Sequence, residues 1–179
     1  MLGTMVFALL VGGHALYRHT LQALVEGKAV SCAAQEPRPH RILGKSEVVH
    51  LGEHRELIFD AKVDSGAHTS SIHATELETF TREGALFVRF KTLDHQGRER
   101  VLERLVSQVR QVRSASGISQ RYYFREIVWI DDVSYDVEVN LADRSQLSKK
   151  MLIGKNLLER GYLVDTSKSY VATEAASLR

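Results

Sequence analysis

Alternation of apolar and polar positions is the dominant pattern in the second half of the chain. In residues 135–141 (YDVEVNL) every second residue is aromatic or aliphatic, which predicts a strand with one buried face. Residues 122–130 (YYFREIVWI) are rich in aromatic and β-branched residues, and Asp131 and Asp132 separate the two segments. Together they predict a β-hairpin.

Shorter extended segments surround this hairpin. Residues 86–91 (LFVRFK) alternate in the same way, and residues 94–97 (DHQG) have the composition of a turn. Residues 162–164 and 170–172 are predicted to be closing strands near the C-terminus.

Helical patterns are few. Residues 155–160 (KNLLER) contain good helix formers, and Gly161 follows as a natural C-cap. Apolar residues between 101 and 112 also recur at helical spacing, so periodicity alone predicts an amphipathic helix there. Many short strands, one short helix near the C-terminus and no βαβ alternation predict a mainly-β barrel or sandwich.

The first 40 residues differ from the rest. Met5–Leu16 is an apolar run of twelve residues, whereas a membrane-spanning helix needs about 20. A frayed or misassigned N-terminus is one interpretation. An export signal or weak anchor is the other, and it predicts a periplasmic protein, with tethering to the inner membrane as an option and a cytoplasmic location as the alternative. Pro37 and Pro39 indicate a linker, so residues 1–40 are taken as leader and linker and residues 41–179 as the folded domain.

Composition excludes several classes of protein. Hydrophobic residues make up 44% and charged residues 26% of the chain, which suits a globular core. The net charge of +2 is too balanced for a nucleic-acid-binding surface, so no nucleic-acid partner is expected. The single cysteine, Cys32, excludes an intramolecular disulfide and a multi-cysteine zinc site.

Candidate chemistry begins at residues 62–70 (KVDSGAHTS), where an apolar approach delivers Asp64 into a turn of small residues. Asp-Ser-Gly is also an ordinary turn composition, so the tripeptide alone leaves open a turn that merely joins two strands. A second segment, residues 151–158 (MLIGKNLL), has an apolar strand, a glycine and a short helix. Its Gly154 lies 90 residues after Asp64.

Together, residues 63–67 (VDSGA) and 152–158 (LIGKNLL) resemble the two signature segments of the retropepsins, the one-lobed aspartic proteases of retroviral type. The longer patterns at 62–74 and 151–167 are similar to a bacterial branch of that fold, often labelled ATP-dependent zinc proteases and associated with RimK-type ligases. The resemblance covers about residues 45–172. It implies a mainly-β, closed barrel that forms half of an acid protease, with one short C-terminal helix.

The resemblance also implies roles for individual residues. Asp64 would be catalytic, and Ile153 and Gly154 would pack beside the active-site loop. The residues that would support that loop are Ser65, Gly66, Ala67 and Thr69. The residues that would form the tip of a substrate-covering flap are Ser114, Ala115, Ser116, Gly117 and Ile118, for which an ordinary hairpin loop is the alternative.

Two further segments are affected by the resemblance. It implies a strand at residues 109–113, whereas their periodicity predicts a helix. Residues 143–149 (DRSQLSK) would form a loop that walls the cleft, although a solvated loop would have the same composition.

The implied chemistry requires two carboxylates that share one proton. The chain has one Asp-Ser-Gly turn, so the second carboxylate is expected to be Asp64 of another copy in a C2 homodimer. The expected substrate is a peptide or a protein. A catalytically silent binding or regulatory module, partnered with a ligase or an envelope system, is the rival interpretation.

The sequence does not favour a metal or a nucleotide. It contains no His-Glu-x-x-His run, and its eight histidines form no recognised ligand pattern. His68 and His73 are five residues apart, so a strand would place them on opposite faces. No phosphate-binding Gly-x-x-x-x-Gly-Lys-Ser/Thr loop is present. No cofactor and no metal site are therefore expected, and a metal hydrolase remains a third possibility that bound zinc would reveal.

Overall fold

A computed structural model describes residues 40–114 and 117–173 of the chain. The apolar run Met5–Leu16 and both prolines lie outside these ranges. The strands and the helix are β1 Arg41–Gly44, β2 Ser46–Leu51, β3 Leu57–Val63, β4 Ser70–His73, β5 Thr75–Arg82, β6 Ala85–Leu93, β7 Glu99–Leu105, β8 Gln108–Ser114, β9 Gly117–Ile130, β10 Val133–Ala142, β11 Met151–Ile153, α1 Lys155–Leu158 and β12 Tyr162–Asp165. No helix within the described ranges is long and apolar enough to cross a membrane.

The largest sheet has the strand order β10-β4-β11-β3-β2-β9-β8, and β10 pairs with β9 as well. This extra pairing brings the sheet back on itself, so that it is partly closed. A three-stranded sheet, β5-β6-β7, and the parallel pair β1-β12 complete the fold. The prediction of a mainly-β fold with one short helix near the C-terminus is confirmed.

The core lies inside this partly closed sheet and beneath the three-stranded one. Phe90 of β6 packs against Phe124 of β9, with ring centroids 6.0 Å apart. Val88 and Phe90 are fully buried, whereas Leu86 of the same strand is 38% exposed. The alternation at residues 86–91 therefore predicted the strand, but only two of its three apolar residues on that face reach the core.

The hairpin prediction is confirmed by the antiparallel pairing of β9 and β10. Ile130 pairs with Val133 across the turn formed by Asp131 and Asp132. Val139 of the apolar face is fully buried, as the alternation requires.

The helix predicted from the periodicity of residues 101–112 is wrong. That stretch contains most of β7, which pairs with β6, and the start of β8, which pairs with β9. Val101 is 58% exposed, so the helical spacing did not reflect one buried face. The strand that the resemblance implied at residues 109–113 is present.

The C-terminal elements differ in detail from the predictions. Helix α1 spans four residues, Lys155–Leu158, rather than residues 155–160. Gly161 adopts a φ of +107°, a conformation that glycine tolerates best. The strand predicted at residues 162–164 is β12, but no strand forms at residues 170–172.

A buried carboxylate explains the missing strand. Glu47 is fully buried, and its Oε1 accepts hydrogen bonds from the backbone N–H groups of Gly44 (2.6 Å), Val171 (2.9 Å) and Ala172 (3.3 Å). Its Oε2 accepts from the backbone N–H (3.1 Å) and the Oγ1 hydroxyl (2.6 Å) of Thr173. These donors would otherwise need a neighbouring strand. The carboxylate therefore fixes the C-terminal segment onto β2 without a ladder of backbone hydrogen bonds.

Replacing Glu47 by Gln should destabilise the fold strongly. The amide NH2 of the new side chain would face N–H donors, and leaving buried donors unsatisfied costs about 3 kcal/mol in the free energy of unfolding. Urea denaturation of both proteins measures this difference. Glu53→Gln, at an exposed position, is the matched control and should change the free energy by less than about 0.5 kcal/mol. Equal losses in the two variants would contradict the role of the Glu47 carboxylate.

Candidate active site

Asp64 lies immediately after β3, at the start of a tight turn. Its backbone N–H donates to the carbonyl of Ile153 (3.0 Å), so β11 fixes the point at which the strand ends. Its Oδ1 accepts a hydrogen bond from the Gly66 N–H (3.0 Å), and its carbonyl accepts one from the Ala67 N–H (3.2 Å). The turn therefore orients the carboxylate through its own backbone.

The charge of Asp64 is stabilised by a lysine of the preceding strand, β3. Nζ of Lys62 lies 2.9 Å from Oδ2 of Asp64, and the Asp64 side chain is 26% exposed. The hydrogen bond from Lys62 lowers the pKa of Asp64 below its ordinary value; burial acts in the opposite direction, and the Gly66 N–H adds to the lowering. In a single copy, Asp64 is therefore held in its ionised form at neutral pH.

Gly154 lets β11 and α1 pass directly behind the active-site turn. A Cβ atom at this position would lie 2.7 Å from the carbonyl carbon of Thr69 and 2.9 Å from the backbone nitrogen of Ser70. Both distances are shorter than non-bonded atoms tolerate. The Gly154 N–H also donates to Oγ of Ser70 (3.1 Å). Ile153 and Gly154 thus lie beside the turn that carries Asp64.

A buried polar network behind the loop was missed by the sequence analysis. Oδ1 of Asn156 accepts hydrogen bonds from the backbone N–H and the hydroxyl of Ser70, both at 2.9 Å, and its Nδ2 donates to the carbonyl of Glu138 (2.7 Å). Nδ2 of Asn140 donates to the Ser70 carbonyl (2.9 Å). Asn156 follows Gly154 in the quoted motif by two residues, so the motif was the available signal. Asn140 lies on the polar face of β10, and the sequence gave no signal of its contact with Ser70.

The loop predicted to wall the cleft is built around a buried arginine. Arg144 is 8% exposed. Its backbone N–H donates to Nδ1 of His73 (3.0 Å), and its Nε donates to the carbonyl of Lys149 (3.0 Å). Lys150 secures the same loop, because its ammonium donates to the carbonyls of Ser145 and Leu147, both at 2.9 Å.

The guanidinium of Arg144 adds positive charge near the carboxylate. Burial lowers the pKa of Arg144, the charge of Asp64 raises it, and Arg121 lowers it. Among residues 40–114 and 117–173, no carboxylate comes within 4.0 Å of this guanidinium. Arg121 is in turn held by Asn140, since its Nη1 donates to Oδ1 of that residue (3.2 Å).

The remaining predicted loop residues lie around the turn. Ser65 and Gly66 are exposed, whereas Ala67 and Thr69 are half-buried. The carbonyl of Ala67 accepts a hydrogen bond from the Lys155 N–H (2.9 Å), which ties the end of the turn to the first residue of α1. The loop is therefore supported on one side and open on the other.

The predicted flap tip is described in part. Ser114 ends β8 and pairs with Gly117, the first residue of β9. Ala115 and Ser116 lie outside the described residues. Ile118 is 64% exposed. A hairpin is therefore present at this position, and its action as a flap stays a prediction.

The two histidines near Asp64 have different surroundings. His68 is exposed and lines a cleft of about 250 Å³, together with Thr69, Arg110 and Glu138. His73 is 3% exposed, and burial lowers its pKa, so its ring is neutral and accepts the Arg144 N–H. Within the described ranges, no group of three or more His, Cys, Asp or Glu side chains is placed to hold a metal ion.

The sequence of this domain matches the model of a known protein family. Residues 42–175 match the model of the RimB-like family, described as "Retropepsin-like aspartic endopeptidase RimB". The match includes the Asp64 turn, Gly154 and Arg144.

Curated relatives carry a different name. A "Probable alpha-L-glutamate ligase" of Shewanella pealeana is 34% identical over 122 residues, 66% of this chain and 27% of the relative. A protein of the same name from Parasynechococcus marenigrum is 36% identical over 114 residues, 62% of this chain and 24% of the relative. The chain thus spans about a quarter of the length of the curated relatives it matches.

A solved structure supports the fold. A Legionella pneumophila protein of unknown function superimposes with a TM-score of 0.62 at 22% identity, covering 74% of this chain and 98% of that one. At this level of identity the similarity concerns the fold alone.

Replacing Gly154 by Ala should test the close packing behind the turn. The added methyl group would overlap the backbone of Thr69 and Ser70, and overpacking of this kind costs about 1–3 kcal/mol. Thermal or urea denaturation measures the loss in the free energy of unfolding. Ser134→Ala, an equally small change at an exposed strand position, should leave that free energy within about 0.5 kcal/mol of the wild type. A fully stable Gly154→Ala protein would show that the loop can move away from β11.

Proposed function

The chain belongs to the RimB-like family of retropepsin-like aspartic endopeptidases, and on that premise we propose that it is a homodimeric aspartic endopeptidase. The observation that carries the proposal is the position of Asp64, whose carboxylate is oriented by the Gly66 N–H at the open side of a turn supported by β11. The chain supplies one such turn. A second copy, related by a two-fold axis, would supply the other carboxylate.

The proposed reaction divides acid and base roles between the two Asp64 side chains. Two adjacent carboxylates share one proton, because both cannot ionise at such close range. The ionised Asp64 accepts a proton from water as the water oxygen attacks the scissile carbonyl carbon, and the protonated Asp64 gives its proton to the carbonyl oxygen. In the collapse of the tetrahedral intermediate, the Asp64 that took the proton from water gives it to the leaving nitrogen, the other Asp64 accepts a proton from a hydroxyl of the intermediate, and the C–N bond breaks.

The residues around Asp64 have separate parts in this proposal. Gly66 lacks a side chain, so it permits the two turns to approach closely. Ser65 is exposed and is available to contact the partner copy. The hairpin tip at residues 114–118 would close over a bound peptide and exclude water.

A catalytically silent module is the second candidate function. The observation in its favour is that the curated relatives are named as ligases and that this chain spans about a quarter of their length. In that case the domain would bind a peptide or regulate a ligase without hydrolysing anything. Peptide cleavage by the wild type and by the Asp64→Asn variant distinguishes the two functions.

Replacing Asp64 by Asn should abolish peptide cleavage. A diverse peptide pool is incubated with each protein across pH 4–8, and products are identified by mass spectrometry. Loss of the acid–base carboxylate should reduce the rate by about 10²–10⁴-fold. Asp132→Asn, an exposed change with the same chemistry, should keep full activity, and a chelator should not reduce wild-type cleavage. Equal activity in the Asp64→Asn variant would refute the aspartic mechanism.

Subunit mixing tests whether the site needs two copies. Excess Asp64→Asn protein added to the wild type should lower its cleavage, because mixed dimers contain one carboxylate at the site. The mass measured by sedimentation at the same concentration should correspond to a dimer. Cleavage that is unaffected by the variant, from a protein that stays monomeric, would contradict shared catalysis.

We also propose a substrate class, for which two observations give support. The curated relatives are named as alpha-L-glutamate ligases. Arg144 is a buried cation near Asp64 that has no carboxylate within 4.0 Å among residues 40–114 and 117–173. Both points favour peptides that carry glutamate next to the scissile bond.

Replacing Arg144 by Gln should therefore impair the cleavage of glutamate-rich peptides selectively. A hydrogen bond to a charged group contributes about 1.5–3 kcal/mol, so kcat/KM for such peptides should fall about tenfold or more. Matched glutamine-containing peptides, compared in the same assay, should show little change. An equal loss for both peptide sets would mean that Arg144 acts on the loop rather than on the substrate.

The location of the protein is a separate proposal. The apolar run Met5–Leu16 favours the periplasm, with tethering to the inner membrane, whereas cooperation with a ligase favours the cytoplasm. Fractionation of cells that express the full chain separates these locations.

A further inference from the structure

Lys62 and Asp64 face the same side of the chain at the end of β3. Successive side chains of an extended strand alternate between its faces, so residues two apart are neighbours. Nζ of Lys62 lies 2.9 Å from Oδ2 of Asp64, with 54% of the Lys62 side chain and 26% of the Asp64 side chain exposed. Since Oδ1 accepts the Gly66 N–H, both oxygens of the carboxylate have an N–H partner within the same copy.

An ammonium group in this position changes the chemistry of a carboxylate pair. Bringing two carboxylates together disfavours the form in which both are ionised, because their charges repel each other, so the pair holds one proton and one negative charge. A positive charge on the outer oxygen stabilises that remaining negative charge against a second protonation at low pH. The two-fold axis that pairs the Asp64 side chains also brings the second Lys62, so the pair would be flanked by two ammonium groups.

We propose that Lys62 is a second functional residue of this site. Its ammonium group keeps the Asp64 pair singly protonated, which is the active form, down to a lower pH than the same pair would reach without the ammonium group. The inference rests on the proposed function, since it concerns the pair formed by two copies. Lys62 touches the reacting carboxylate itself, so its part is in the reaction and not only in the fold.

The other cations near this site act on Asp64 less directly than Lys62 does. Arg144, from the loop after β10, acts on Asp64 at longer range, and Arg121 of β9 interacts with Arg144 and is held by Asn140. From β11 the contact is a backbone one, through Ile153. Within residues 40–114 and 117–173, the ion pair that Asp64 makes inside 4.0 Å is with Lys62.

The first test compares the pH dependence of kcat/KM in the wild type, Lys62→Met and Lys62→Arg. Methionine keeps the length of the side chain and removes its charge, so the acid limb of the profile should move to higher pH. Arginine restores the charge, so the acid limb of the Lys62→Arg profile should return toward that of the wild type. This expectation holds even where the absolute rate of the variant differs. Lys168→Met, which removes an exposed lysine paired with Asp165, should leave the profile in place. An unchanged acid limb in Lys62→Met overturns the proposal.

A second measurement does not depend on activity. The carboxyl carbon of Asp64 is titrated by NMR in the full chain, with the Asp64→Asn variant identifying the signal. The midpoint in Lys62→Met should be higher than in the wild type and in Lys62→Arg. If no protein cleaves peptides but the midpoint moves, the endopeptidase proposal fails while the contact between Lys62 and Asp64 stands. If the proteins cleave peptides and neither the midpoint nor the acid limb moves, the role of Lys62 fails and the endopeptidase proposal stands.

Discussion

The close approach of β11 to the Asp64 turn is the contact on which the rest of the site depends. The Asp64 N–H bonds to the Ile153 carbonyl, and the next residue, Gly154, lies so near the backbone of Thr69 and Ser70 that a Cβ atom could not fit. A strand that passes this close holds the turn from behind and leaves the carboxylate facing outward. The half-buried amide of Asn156 then satisfies the groups of Ser70 that this packing removes from water.

The electrostatic character of the site follows from that placement. Lys62 reaches Asp64 because both leave β3 on the same side, and Arg144 stays near it because its loop is held by His73 and Lys149. Both cations favour the ionised form of the Asp64 carboxylate. In the proposed dimer they would keep one member of the carboxylate pair charged.

The C-terminal segment links the frame of the fold to the loop that carries Arg144. Glu47 binds its backbone, and the Tyr170 hydroxyl donates to Oδ2 of Asp60 (2.9 Å). Lys149, at the end of the loop that carries Arg144, bonds to the same Asp60 oxygen. One carboxylate of β3, four residues before Asp64, thus joins the end of the described chain to the loop that carries Arg144.

The sequence by itself determined the features that depend on neighbouring residues, which are the hairpin of β9 and β10 and the turn at Asp64. The packing of Gly154 beside that turn was expected from the resemblance to a known family. Alternation and turn composition are local, so they can be recognised without the fold. Only the tertiary structure decided that residues 101–112 form parts of two strands, because their ladder partners in β6 and β9 lie outside that stretch. It likewise placed Asn140 behind the loop at Asp64. It also gave residues 171–173 a carboxylate partner, Glu47, from the opposite end of the domain. Such contacts join residues that are far apart in the chain, and a local sequence pattern does not identify the distant partner.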